Sequence, residues 1–166
     1  MSSDNEEIKF RGYEIFMSNE LIKNKKVFHD FHILETYEAG IELKGTEVKS
    51  CRERKISIAD AYVKFENNEA WLLNVNISLY SHGNQFNHDP KRNRKLLLHK
   101  HEIRKIMQAV NEKGCTVVPI KFYLKFGKVK VEIGVAKGKT HGDKRESLKK
   151  RQADLDARKA MKGFRG

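Results

Sequence analysis

The chain has 166 residues, enough for one domain with a substantial core and a short appendage at either end. Lys and Arg number 34 against 22 Asp and Glu; the resulting net charge of +12 points to a polyanionic partner, nucleic acid first, because cations near phosphates release condensed counterions. No stretch reaches the apolar length of a membrane span, residues 1–7 are acidic where a secretory leader would be basic, and Cys51 and Cys115 stand alone without a CxxC, so the composition favours a cytoplasmic, reducing compartment over membrane or secreted classes.

Residues 1–20 carry Lys9 and Arg11 against five carboxylates and read as an acidic N-terminal extension. A mixed segment follows, Asn24-Lys25-Lys26-Val27-Phe28-His29-Asp30-Phe31-His32, with cations, imidazoles and rings together. Strand-like runs cover 31–44, interrupted at Glu38-Ala39-Gly40, and 56–65, and a short helix is compatible with 46–52. From Trp71 the odd positions are apolar (Trp71, Leu73, Val75, Ile77, Leu79), which predicts one half-buried strand with those residues inward. Residues 81–95, SHGNQFNHDPKRNRK, form a long polar stretch of the kind that is functional or mobile in a small domain. Ile103, Ile106, Met107 and Val110 fall at helical spacing, with Gly114 placed to end that helix. Two alternating runs then flank Gly127. Ile120, Phe122, Leu124, Phe126, Val129, Val131, Ile133 and Val135 face one way and predict a hairpin.

Short strands around one long helix predict a mainly β fold with helices: an oligonucleotide-binding-type β-barrel over 21–136, with one long and one or two short helices and a basic C-terminal tail over 137–166. The tail has eleven basic residues against four acidic ones, and Leu148 and Leu155 are its large apolar residues before Met161. Such a segment buries too little to be a stable helix alone, so it is expected to be disordered when free and helical along an anion. Asp143 and Glu146, three apart, suit its start in the manner of a capping box.

The hairpin's outer face carries the first candidate site. Lys121, Tyr123, Lys125, Lys128 and Lys130 would display cations beside a ring, a pattern that tracks phosphates and stacks a base; the plain alternative is a solvated face. Pro90-Lys91-Arg92-Asn93-Arg94-Lys95 is a second cationic element, and one of Leu96-Leu97-Leu98 must point away from its neighbours. His29, Asp30, His32 and Glu35 resemble a metal set, but in a strand His29 and His32 face opposite ways, so neither a metal nor a cofactor is expected. There is no GxSxG, Walker loop or GxGxxG, and Cys115 carries no nucleophile signature, so an enzyme is the minority reading.

The ordered runs GTEVKS (45–50), AWLLNVNI (70–77), NHDP with RKLLLHKHEI (87–103), KVKVEIGVAKGK (128–139) and DKRES (143–147) resemble the small protein B family, the SsrA-binding proteins of bacterial ribosome rescue. The resemblance runs from about Asn24 into the tail and leaves residues 1–20 without a counterpart. It implies a barrel gripping the tRNA-like domain of tmRNA, and a tail that becomes helical in the empty mRNA channel and decoding centre of a stalled ribosome's small subunit. It also implies RNA contacts at Asn24, Lys25, His29, Glu38, Leu97 and Lys130; Glu38 would accept hydrogen bonds from bases or 2′-hydroxyls. In the tail it implies ribosome contacts at Lys137, Lys139, Asp143, Lys144 and Arg145. Relatives commonly place an aromatic or His directly before Asp-Lys-Arg; here Gly142 stands there, with His141 one place earlier, which leaves the stacking role open. The expected protein is a monomeric, non-catalytic tmRNA adaptor. The rivals are a general RNA- or DNA-binding protein of the ribosome or nucleoid, which would bind duplex equally well, and a metal-dependent nuclease.

Overall fold

Nine strands and four helices form among the described residues, 19–83 and 87–163 of the computed structural model, the strands on period-two apolar patterns joined by left-handed turns. In chain order these are β1 (Glu20–Lys23), α1 (Lys25–Asp30), β2 (Phe31–Ile41), α2 (Gly45–Arg52), β3 (Ile56–Ser57), β4 (Tyr62–Glu66), β5 (Glu69–Leu73), β6 (Asn76–Ile77), β7 (Arg94–Leu97), α3 (Lys100–Lys113), β8 (Thr116–Lys125), β9 (Lys128–Gly138) and α4 (His141–Gly163). The acidic extension expected over 1–20 lies almost wholly outside the described residues.

Seven strands form one antiparallel sheet in the order β1-β8-β9-β2-β7-β5-β4, and β3 pairs with β6 in a separate small ladder. The sheet curls until β4 packs against β8, while its edges, β1 and β4, share no ladder. The mainly β architecture with helices matches the expectation, as a rolled sheet rather than a barrel closed by hydrogen bonds. Inside the roll Leu72, Ile77, Leu96, Ile106, Phe122, Val131, Ile133 and Val135 are buried. Each removes its side chain from water for about 1.5–3 kcal/mol. No described helix is long and apolar enough to cross a membrane.

Two hairpins turn on two-residue loops with both residues left-handed. Asn67 (φ 51°) and Asn68 (φ 58°) join β4 to β5, and Phe126 (φ 52°) and Gly127 (φ 72°) join β8 to β9. This is the primed turn whose twist suits antiparallel strands. The α3 helix ends on Gly114 (φ 63°), with Ile103 and Ile106 buried, as its spacing predicts.

Several readings of the sequence are corrected. β2 runs unbroken through Glu38-Ala39-Gly40, with Ala39 wholly buried. In β5 the even residues Ala70 and Leu72 face the core rather than Trp71 and Leu73; left-handed Asn74 then breaks the strand and resets the phase, so that Val75 and Ile77 are buried while Leu79 is exposed. Phe126 is 57% exposed at the turn instead of joining the buried hairpin face. The start of α4 is capped by Thr140 rather than by a pairing of Asp143 with Glu146: the Asp143 carboxylate accepts from the Thr140 N–H (3.2 Å), and the Asp143 N–H donates to the Thr140 hydroxyl (3.2 Å). The boundary drawn at 136–137 falls inside β9, which continues to Gly138.

Candidate nucleic-acid interface

Register places the outer-face residues. On β9, Lys130 lies opposite Tyr123 of β8 and Gly40 of β2, and Glu132 lies opposite Lys121 and Glu38. Glu38 and Tyr123 thus reach each other across the intervening strand. The Tyr123 hydroxyl donates to Glu38 Oε2 at 2.5 Å, and Lys125 Nζ donates to both carboxylate oxygens at 3.2 Å. Lys121 Nζ pairs with Glu132 at 3.4 Å and stands 5.5 Å from the Tyr123 ring centre. The Tyr123 O–H, with Lys125 and Lys130 nearby, holds the Glu38 carboxyl below the usual carboxylate range against an opposing push from burial. Burial and then the Glu38 carboxylate push the Tyr123 phenol far above its usual value. At neutral pH the cluster therefore presents the Glu38 carboxylate, a protonated Tyr123 hydroxyl and several cations, with Glu132 paired to Lys121 beside them. Glu38 and Lys125 remain partly open to solvent. Such a carboxylate can accept from base or ribose donors that a purely cationic surface would not distinguish.

Next to this cluster runs an open groove of about 270 Å³, lined by Gly40, Leu43, Leu97, Gly127, Lys128 and Lys130. Leu97 is 50% exposed whereas Leu96 is 2%, so the middle leucine is the one pointing outward. The β2–β7 contact is close at position 40, where an added Cβ would sit 3.2 Å from Leu97 Cβ and 3.6 Å from Lys130 Nζ, so Leu97 would have to shift slightly to admit a side chain. Glu38, Leu97, Tyr123, Lys125, Lys128 and Lys130 share one continuous surface.

The remaining expected contacts lie elsewhere. Lys25 is exposed on α1 and His29 is half-buried there, its Nδ1 sheltered without a hydrogen-bond partner. From β2's first residue to Glu38 is seven strand residues, roughly 23 Å. The sequence therefore names two patches, not one. Beside α1 sits the start of the tail. Lys139 Nζ donates to the Phe28 carbonyl (3.0 Å) and to Ser147 Oγ (2.8 Å), Lys144 pairs with Asp30 at 3.5 Å, and His32 lies 3.4 Å from Asp143. Lys137, His141 and Arg145 are exposed. Beyond this docked first turn, α4 buries no residue. His29 is helical and His32 is on β2, so the strand-face argument does not apply to that pair; no metal-like cluster of His, Cys, Asp and Glu forms among the described residues.

Two of the residues expected at the RNA surface lie inside the protein. Asn24 is 3% exposed, and its Nδ2 donates to the carbonyls of Ile58 (3.2 Å) and Pro119 (3.3 Å), fastening α1 to the roll. Arg94 is 0% exposed. Its guanidinium bonds Glu47 and donates to the carbonyls of Val75, Arg92 and Pro90, each at 3.0 Å. Both side chains are consumed by the protein interior. The polar stretch around Arg94 is likewise pinned: His88 bridges Thr46 Oγ1 and the Ile77 carbonyl (2.9 Å each), and Arg92 donates to Glu47 and to the Glu42 carbonyl. A run of cations does not by itself separate exposed from buried arginines. Phe28, in the same mixed segment as Asn24, is exposed on α1 with Lys23 Nζ 5.4 Å from its ring centre.

The model of the family described as SmpB protein matches residues 21–163. An SsrA-binding protein of Levilactobacillus brevis is 56% identical over 146 residues, covering 88% of this chain and 93% of that one. An SsrA-binding protein of Carboxydothermus hydrogenoformans is 51% identical over 146 residues, covering 88% and 98%. A chain of the solved structure described as "tmRNA-SmpB: a journey to the center of the bacterial ribosome" superposes with a TM-score of 0.61 at 47% identity, covering 76% of this chain and 93% of that one.

Proposed function

The chain belongs to the SmpB protein family, and on that premise we propose that it is a tmRNA-binding adaptor of trans-translation. The rolled sheet holds the tRNA-like domain of tmRNA and delivers it to stalled ribosomes in the cytoplasm. There the tail lies in the vacant mRNA channel and decoding centre, so that the incomplete peptide is tagged for degradation. The protein acts as a monomer and through shape and charge, without a cofactor. The observation that carries this reading is the Glu38–Tyr123–Lys125 cluster beside Lys130 and Leu97. A carboxylate fixed among cations discriminates among RNA surfaces, whereas cations alone confer affinity for any of them. Lys25 and His29 form a second RNA contact on α1, and Lys137, Lys139, His141, Asp143, Lys144 and Arg145 are assigned to the ribosome.

The test is a competition experiment. Labelled tmRNA is bound at moderate salt and challenged with bulk tRNA or duplex DNA. Preferential retention of tmRNA, together with about tenfold weaker binding by Glu38→Ala and Lys130→Ala, is expected for the loss of one charged contact. Equal displacement by tRNA or duplex would make this a general nucleic-acid-binding protein instead.

A further inference from the structure

Phe126 is in a place that neither turn geometry nor packing explains. Both central positions of a primed two-residue turn require positive φ, which Asn and Gly tolerate and a bulky aromatic resists. Among the described residues the other turn of this kind uses Asn67 and Asn68. At the β8–β9 turn, by contrast, Phe126 holds φ 52° with its ring 57% exposed, so burial does not compensate the unfavourable backbone. Strain of this sort persists where the surroundings enforce it and a function uses it. Here the enforcement is visible: Gly127 is left-handed as well, and Arg52 Nη2 reaches from α2 to the Gly127 carbonyl at 3.2 Å.

What lies around the ring defines its ligand. Lys125 and Lys128 pair directly across the hairpin on either side of it, and Gly127 and Lys128 line the groove shared with Leu97 and Lys130. We propose that Phe126 is a base-stacking residue, taking an unpaired base of the bound RNA at the tip of the β8–β9 hairpin while Lys125 and Lys128 hold the flanking phosphates. An exposed ring between two cations suits a nucleotide whose base is free of the stack. An A-form duplex offers no such face, so the ligand is a loop or a splayed nucleotide. An apolar protein partner would have no use for the paired lysines. This assignment rests on the tmRNA-binding reading and adds a contact to it.

The experiment exploits opposite signs. Phe126→Asn inserts a residue the turn prefers, so the melting temperature should hold or rise, while tmRNA affinity should fall about tenfold, the scale of one lost stacked base. Phe126→Trp should bind like the parent chain. The salt dependence of Phe126→Asn should be unchanged, because no phosphate contact is lost, whereas Lys128→Ala should flatten the log–log slope by about one unit. Phe126→Asn binding as tightly as the parent, or losing affinity only in step with a lowered melting temperature, overturns the proposal. So does intact tmRNA affinity with impaired ribosome recruitment, which would make the ring a ribosome contact. If Lys130→Ala weakens binding while Phe126→Asn does not, the stacking assignment fails and the adaptor reading stands. A parent chain with no preference for tmRNA over tRNA overturns both.

Discussion

Glu47 and Arg94, both wholly buried, form an ion pair that locks α2 to β7. Glu47 Oε1 also accepts from Lys44 N–H and Arg92 Nε, each at 2.9 Å. Burial pushes the Glu47 carboxyl up, but the Arg92, Lys44 and Arg94 donors prevail and leave it below the ordinary carboxylate value. Removing one partner leaves the other as a buried unpaired charge. Arg94→Ala and Glu47→Ala should each cost about 3–5 kcal/mol of stability, read by urea denaturation. Because the folded value is depressed, Glu47's contribution is present above the unfolded carboxylate pKa and disappears as pH falls through the folded one. An Arg94→Ala variant of parental stability with weakened RNA binding would return Arg94 to the contact surface.

The Glu38–Tyr123 pair can be followed by titration. Tyr123→Phe removes the strongest influence lowering the Glu38 carboxyl, so NMR-monitored titration should show the Glu38 pKa moving up toward the usual carboxylate range. In the parent chain the depressed Glu38 carboxyl stays ionised throughout the neutral range, so tmRNA affinity should show no step from this group between pH 6 and 8. An affinity step in that window abolished by Glu38→Gln would contradict the assignment.

At the junction of tail and body, Lys144 pairs with Asp30 while both are partly solvated. A pair of this kind contributes about 0–1 kcal/mol. Asp30→Ala should therefore speed amide exchange over residues 141–147 by a few fold and leave the roll's exchange unchanged. Accelerated exchange across β2 and β9 would show that Asp30 supports the sheet as well.

Body and tail should separate functionally. Truncation after Lys139 removes α4, which buries nothing, so the melting temperature should hold and tmRNA affinity should remain within about twofold while peptide tagging is lost. A truncated chain that still tags would refute the division of labour. The free tail's helicity beyond its Thr140–Asp143 cap should be marginal, and circular dichroism of an isolated 137–166 peptide with and without polyanionic RNA tests the coil-to-helix change.

Some of the molecule was legible along the chain. Ile103, Ile106 and Gly114 marked α3 because helical period and a left-handed cap are local properties. Lys121, Tyr123 and Lys125 lay on one face of β8 because strand alternation is local too. What escaped were the places where a local rule had two outcomes. Alternation from Trp71 gives two equivalent phases, and the left-handed Asn74 decided between them. Among the cations from Lys91 to Lys95, it is Glu47, 47 residues earlier, together with the Val75 carbonyl that holds Arg94 inside.

By itself, then, the sequence determined the charge excess, the β-rich class, the long helix, the family resemblance and the basic hairpin face, since each is set by composition, period or ordered motifs. The tertiary structure alone decided that Glu38 meets Tyr123 across β9, that Asn24 and Arg94 are interior, and that Phe126 stands out on an enforced turn. Those facts depend on strand register and on burial by residues distant in sequence, which no local periodicity encodes.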